Sequence, residues 1–276
     1  MNCPGTVFLV GAGPGAADLL TLRAARLLAR ADVVFHDALV SADILALAPQ
    51  ARLIAVGKRC GRLSTAQRFI NRQLIAAAEQ YPVVVRLKGG DPMMFGRAQE
   101  EIADLQAAGI AFEIVPGISA GLAASAAVQQ SLTQRGLSRN VAFVTPRFGA
   151  GEREHDWTRV ALTADTAVIY MAGQQTANIG QALMAGGMRA DMPVVLIAGA
   201  STPQQLVFRS HIGELAQGER HFDTGSLPVL LMLGAVFESV CEPVHQSGTL
   251  DETLASSLEN APPGPWSVAV RNRQAA

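Results

Sequence analysis

The chain is predicted to be an α/β protein of two domains, and three features of its 276 residues predict this. Short β-branched apolar runs alternate with stretches of helical apolar spacing through the first half. A segment of glycines and charges, Pro146–Asp156, interrupts that alternation. Beyond it, strand-like runs outnumber helix-like ones. Uninterrupted apolar strands alternating with helices mark a mainly parallel sheet covered on both faces, which assigns residues 1–147 to an N-terminal domain of that kind. Residues 148–241 are assigned a second α/β domain with a mixed sheet. Residues 242–276, with Pro243, Pro262, Pro263 and Pro265 and little periodic apolar content, read as a weakly ordered tail.

The elements follow in order. Val7–Val10 is a buried strand, and Leu19, Leu22, Ala25 and Leu28 place a helix over Asp18–Ala31. Asp32–Asp37 is a second strand, Ser41–Ala48 a helix and Leu53–Val56 a short strand. A helix from Thr65 to Gln80 leads to the strand Val83–Leu87, then a helix over Ala98–Ala108 and a strand over Phe112–Val115. The Ala-rich stretch Ala120–Gln130 is a helix, and Val141–Thr145 reads as the last strand of the first half. In the second half, strands fall at Thr166–Met171, Val194–Ala198, Gln205–Ser210 and Leu227–Leu233, with one helix over Thr176–Gly186.

Composition narrows the function. Hydrophobic residues make up 49% of the chain, enough for a core and contrary to the signature of disorder. A net charge of −1 argues against a general nucleic-acid or membrane-surface binder. No apolar run approaches the roughly 18–20 residues of a membrane span. Cys3, Cys60 and Cys241 lie far apart and match no metal-ligand spacing, so no metal site is expected. With no basic, apolar leader at Met1–Gly5, the expected location is the cytoplasm. Of 22 basic residues only Lys58 and Lys88 are lysine, and both stand beside glycines. A chain that otherwise uses arginine either keeps lysine where a compact ammonium is needed or retains two by chance.

Three small-residue loops stand at strand ends. Gly11-Ala-Gly-Pro-Gly-Ala16 fits the G-x-G-x-x-G/A pattern, and Asp37 follows at the end of the second strand, where a dinucleotide fold places its ribose-binding carboxylate. Pro14 speaks against that reading, because it has no N–H to offer a pyrophosphate. The second loop, Lys88-Gly-Gly-Asp-Pro92, lets backbone approach a ligand, while Asp91 repels phosphate and suits hydroxyls or a cation. The third is Pro116-Gly-Ile-Ser-Ala120. In an open α/β sheet such loops gather at the carboxyl ends of the parallel strands. The pocket they form suits a nucleoside-like ligand without phosphates better than NAD. His36 beside Asp37 is read as packing, since neighbours on a strand face opposite ways.

Taken together these motifs resemble the tetrapyrrole methylase family. The matching segments run in order from Val10-Gly-Ala-Gly-Pro-Gly15 through Asp37-Ala-Leu-Val-Ser41, Val56-Gly-Lys-Arg59 and Val85-Arg-Leu-Lys-Gly-Gly-Asp-Pro92. They continue with Glu100-Glu101, Val115-Pro-Gly-Ile-Ser-Ala120, Leu132-Thr133 and Tyr170-Met171, so that about residues 6–240 are covered. The resemblance implies a homodimer of two-domain subunits, with S-adenosylmethionine held in a cleft between the domains and S-adenosylhomocysteine as product. Cofactor contacts carried over by position are Pro14, Gly89, Gly90, Asp91, Met94, Ser119, Ala120, Met171 and Ala200. Asp37 matches the family's proton acceptor and Lys58 its proton donor. The implied reaction methylates uroporphyrinogen III at C2 and then C7, giving precorrin-2, as in sirohaem- and cobalamin-type biosynthesis. Its eight carboxylates call for arginines, and Arg59, Arg97, Arg135 and Arg139 are the candidates.

Departures from the family pattern fall at Leu63, Ala98-Gln99, Gln134 and Pro146-Arg147. They bear on the substrate more than on the cofactor. Three alternatives therefore stand beside the main reading: a sister methyltransferase on a later corrin precursor, an NAD-dependent oxidoreductase, and a non-catalytic ligand-binding protein.

Overall fold

The structure is a computed structural model that describes residues 4–56, 63–148, 155–173, 175–218 and 222–241, with side chains from 67 onward in the second of these segments. The tail at 242–276, Cys3 and Cys60 lie outside the described residues. The described residues divide between two compact units. One draws its described residues from 4–129, 147–156 and 199–202, the other from 130–146, 157–198 and 203–241.

The first unit is built on five parallel strands: β1 (Thr6–Gly11), β2 (Val33–His36), β3 (Arg52–Ala55), β4 (Val83–Lys88) and β5 (Phe112–Val115). Their order is β3-β2-β4-β1-β5. Between them run α1 (Leu22–Leu28), α2 (Ala42–Leu45), α3 (Leu63–Ala78) and α4 (Ala98–Ala107), with α5 (Ala120–Ala127) following β5. The strand period of two sorts the core. Phe8, Val10, Val34, Val85 and Leu87 pack with Leu27, Leu28 and Ile44 of α1 and α2. Val7, Leu9, Val33, Phe35 and Val84 pack with Ile70, Leu74, Ile102 and Leu105 of α3 and α4. Both faces are covered, as continuous apolar strands require.

The helix expected over Asp18–Ala31 is broken into a 3₁₀ turn at Ala17–Leu19 and α1. Thr21 causes the break: its backbone is extended, and its Oγ1 accepts from Ala24 N at 3.1 Å as an N-cap.

The second unit holds a mixed sheet of β6 (Val141–Val144), β7 (Thr166–Ile169), β8 (Pro193–Ala198), β9 (Leu206–His211) and β10 (Val229–Gly234), in the order β6-β7-β10-β8-β9. Only β6 and β7 pair in parallel. Helices α6 (Trp157–Thr163), α7 (Thr176–Ala185) and α8 (Ile212–Gln217) cover one face with Trp157, Ile179, Leu183, Ile212 and Leu215. A short α9 (Glu238–Cys241) follows β10.

One assignment is corrected. Val141–Val144 is not the last strand of the first sheet but an edge of the second, paired with β7. The segment just before it is fastened there: Asp165 Oδ2 accepts from Arg139 N at 2.8 Å, Asn140 N at 3.2 Å and Asn140 Nδ2 at 2.9 Å. The buried Ser138 and Thr166 hydroxyls meet at 2.8 Å. β6, α6 and β7 all belong to the second unit, so the change of sheet precedes β6. Helix α8 falls between the expected strands Gln205–Ser210 and Leu227–Leu233, where no element is expected. Its signal was Gly218, which ends it in the left-handed region at φ 69°.

This placement of β6 predicts coupled protection. Ile169→Ala, at a fully buried site on β7, is expected to cost about 2–5 kcal/mol and to speed amide exchange across Val141–Val144. Leu9→Ala on β1 should leave those amides protected, and exchange that followed Leu9→Ala instead would contradict the assignment.

Candidate active site

The three small-residue loops meet at the carboxyl ends of β1, β4 and β5. Ala12 N donates to Lys88 O at 2.7 Å. Gly13 and Gly90 form an antiparallel bridge, with Gly90 N to Gly13 O at 2.7 Å and Gly13 N to Gly90 O at 3.1 Å. Both glycines have positive φ, 70° and 68°. The third loop is packed against the other two: a Cβ on Gly117 would run into Gly90 O and the backbone of Gly11. Asp91 ties the second loop to the third, its Oδ2 accepting from Gly117 N at 3.0 Å and its Oδ1 from Met93 N at 2.8 Å. Each carboxylate oxygen has a further lone pair with which to receive a ligand hydroxyl.

The first loop has a second wall. Ala16 N donates to Ser201 Oγ at 3.2 Å, and Ala200 O lies against Gly15. Ser41 Oγ donates to Gly15 O at 3.2 Å. The structure thus brings Pro14, Gly89, Gly90, Asp91, Ser119 and Ala200 into one unit, around a surface of backbone and small side chains. Met94 N donates to Asp91 O at 3.2 Å, and Ser119, with Ala120 behind it, opens α5. Met171 belongs to the second unit, where it follows β7 with φ 57°.

No lysine, arginine or histidine occurs in the loop segments 11–16, 89–94 and 116–121. The cation that adjoins them, Lys88, is turned away. Its Nζ donates to Glu101 Oε2 at 2.9 Å with the side chain 3% exposed. Burial pushes the Lys88 ammonium below the usual lysine range, the Arg86 charge adds to this, and Glu101 and Asp37 oppose it. The loops therefore offer amides, carbonyls and a carboxylate, which fit an uncharged nucleoside and a cationic centre rather than a diphosphate. Strand order speaks the same way. In a dinucleotide fold the second strand lies beside the first, whereas here β4 separates β2, which leads into Asp37, from β1.

Asp37 leaves β2 on the face of Val33 and Phe35, and its N donates to Leu87 O at 3.2 Å. Its Oδ1 accepts from Arg86 Nη2 at 2.6 Å. Arg86 and Lys88 stand two apart on β4 and so share a face with Asp37. Arg86 Nε and Lys88 Nζ reach the two oxygens of Glu101, which is wholly buried at the start of α4. Gln67 Nε2 also donates to Glu101 Oε1, at 3.1 Å. Asn71 Nδ2 on the same helix as Gln67 reaches Asp104 Oδ2 at 2.7 Å. Arg86 and Glu101 stand inside the family motifs with no role expected of them. Two charged residues at alternate positions of a strand otherwise wholly apolar were the available signal. His36 turns aside, with Nδ1 3.2 Å from the Asp37 carbonyl oxygen.

Lys58 and Arg59 lie outside the described residues. Arg97, at φ 56°, closes its fork on Glu100 with Nε–Oε1 2.6 Å and Nη2–Oε2 2.8 Å. Arg135 and Arg139 are exposed in the second unit, in and after a turn closed by Gln134 and Ser138.

Comparison with known proteins agrees with this geometry. The profile of the tetrapyrrole (corrin/porphyrin) methylases matches residues 6–216, and the chain belongs to that family. A uroporphyrinogen-III C-methyltransferase of Pseudomonas aeruginosa is 46% identical over 88% of this chain and 99% of its own length. A siroheme synthase of Zymomonas mobilis is 42% identical over 84% of this chain, which spans 49% of that protein. The crystal structure of uroporphyrin-III C-methyl transferase from Thermus thermophilus, complexed with S-adenyl homocysteine, superposes with a TM-score of 0.75 at 37% identity. It covers 87% of this chain and 96% of its own.

The loop geometry predicts unequal costs for added methyl groups. Gly117→Ala should lower stability by about 1–3 kcal/mol, because the obstruction is backbone on two sides. Gly89→Ala meets only the Leu39 side chain, at 3.6 Å, and should change it by less than about 1 kcal/mol. Urea denaturation of both variants checks the contrast.

Proposed function

We propose that the chain is an S-adenosylmethionine-dependent C-methyltransferase that converts uroporphyrinogen III to precorrin-2 by methylation at C2 and C7. The observation behind this reading is the cation-free backbone cradle at Gly13, Gly90 and Asp91, with the Arg86-held carboxylate of Asp37 at the end of a strand in the same sheet. S-adenosylmethionine supplies an electrophilic methyl group on a positively charged sulfur. Pro14, Gly89, Gly90, Asp91, Met94, Ser119, Ala120 and Ala200 are assigned to hold it in the first unit, and Met171 in the second.

The chain's own contribution is placement more than base strength. Methyl transfer needs an in-line approach, and a fixed geometry supplies that by removing the entropy of finding it. Asp37, ion-paired with Arg86, is assigned as acceptor of the proton that the methylated pyrrole ring releases. Lys58 is assigned as donor on its match to the family motif. Arg59, Arg97, Arg135 and Arg139 are assigned to the substrate carboxylates, and Arg97 must exchange Glu100 for one of them. The same reading carries a homodimer in the cytoplasm.

Anaerobic incubation with methyl-labelled S-adenosylmethionine and uroporphyrinogen III is expected to place two labelled methyl groups on the tetrapyrrole. A protein that folds and binds the donor without turnover would remove the assignment. A single methyl on a later corrin precursor, with none on uroporphyrinogen III, would transfer it to a sister enzyme. In a thermal-shift assay, S-adenosylhomocysteine at about 100 times its Kd should stabilise the protein by about 2.7 kcal/mol. NAD at equal concentration should give no shift.

A further inference from the structure

Four charges stand in sequence at the carboxyl end of β4: Asp37, Arg86, Glu101 and Lys88. The chain of contacts alternates in sign and sums to zero. Glu101 is wholly buried, and the Arg86 and Lys88 side chains are each 3% exposed. Taking such groups out of water is costly, and apolar residues of similar volume would join α4 to β4 at least as well. Cohesion alone therefore does not account for them. Direction does.

Glu101 divides its two oxygens between two donors on β4. Oε1 takes Arg86 Nε at 3.0 Å, and Oε2 takes Lys88 Nζ at 2.9 Å. Arg86 Nη1 is also held, by Leu87 O at 3.2 Å. With those sides of the planar guanidinium occupied, Nη2 faces Asp37 Oδ1 at 2.6 Å. Glu101 has no exposed surface and cannot meet substrate, so any effect it has on the reaction passes through its partners, of which Arg86 is the one that reaches Asp37.

We propose that Glu101 is a positioning residue that aims Arg86 at Asp37, with Lys88 holding its second oxygen so that the carboxylate cannot turn away. The inference rests on the reading of Asp37 as the proton acceptor. Gln67 supports the same geometry from α3 by donating to Glu101 Oε1. The Lys88 side chain runs close to Gly96, where an added Cβ would lie 3.2 Å from Lys88 Cε.

The test is a double-variant cycle on the full chain, read by steady-state methylation of uroporphyrinogen III and by calorimetry with S-adenosylhomocysteine. E101Q keeps the volume and removes the charge between the two cations. Its kcat is expected to fall by about tenfold or more, while KM for S-adenosylmethionine and the S-adenosylhomocysteine Kd stay within about twofold. E101Q/D37A should be no slower than D37A, because Glu101 acts through that carboxylate. If E101Q does not fold, E101Q/K88M removes the ammonium left without a partner and enters the same cycle with the same expectations. Wild-type kcat in E101Q, losses that multiply in the double variant, or a parallel loss of S-adenosylhomocysteine affinity would each overturn the proposal. D37A turning over at the wild-type rate would overturn the reading of Asp37 itself and the proposal with it. A slow D37A beside an unaffected E101Q would overturn the proposal alone.

Discussion

Everything at the candidate site depends on how closely three backbone segments approach one another. Gly11, Gly90 and Gly117 come from three parallel strands and touch without side chains between them. The Gly13–Gly90 bridge and the Asp91 carboxylate then lock the approach with hydrogen bonds. A chain packed this tightly presents amides and carbonyls as its binding surface and leaves no room for a basic side chain. The steric constraint decides the electrostatics, and the electrostatics decide which ligand the site suits.

The charges that the loops lack are found directly behind them. Arg86 and Lys88 follow the strand period onto the face of α3 and α4, where Glu101 receives both. The same alternation that divides Val84 from Val85 between two cores therefore separates the neutral cradle from the charged network. Asp37 stands where this network ends, one-third exposed and held by one oxygen. A carboxylate held by an ion pair suits a reaction whose main demand is alignment.

In the first unit the order of strands and helices was legible because continuous apolar strands and Ala/Leu-rich helices have distinct periods, whereas the short helices α6 and α8 of the second unit were not. The gathering of the three loops followed from parallel topology, and the bridge between Gly13 and Gly90 bears it out. The membership of β6 was not legible. Its four residues fit either sheet, and what decides between them is the Asp165 clasp and the buried Ser138–Thr166 contact, both made across long sequence separation. The Glu101 network was hidden for a similar reason: glutamate in the first turn of a helix ordinarily reads as a favourable dipole contact at the surface. Only packing shows that Glu101 is buried while its neighbour Glu100 pairs with Arg97 near solvent. The rarity of lysine marks Lys88 in the sequence, whereas nothing there marks Glu101 as its partner.

The central claim is that a sulfonium nucleoside without phosphates lies on the backbone of the first unit. A crystal structure of the protein grown with S-adenosylhomocysteine tests it most directly. The account predicts the ligand's density against the backbone of Gly13 and Gly90, with a ligand hydroxyl within hydrogen-bond distance of Asp91. Density at another surface of the protein, or a ligand-free cradle at saturating concentration, would contradict it.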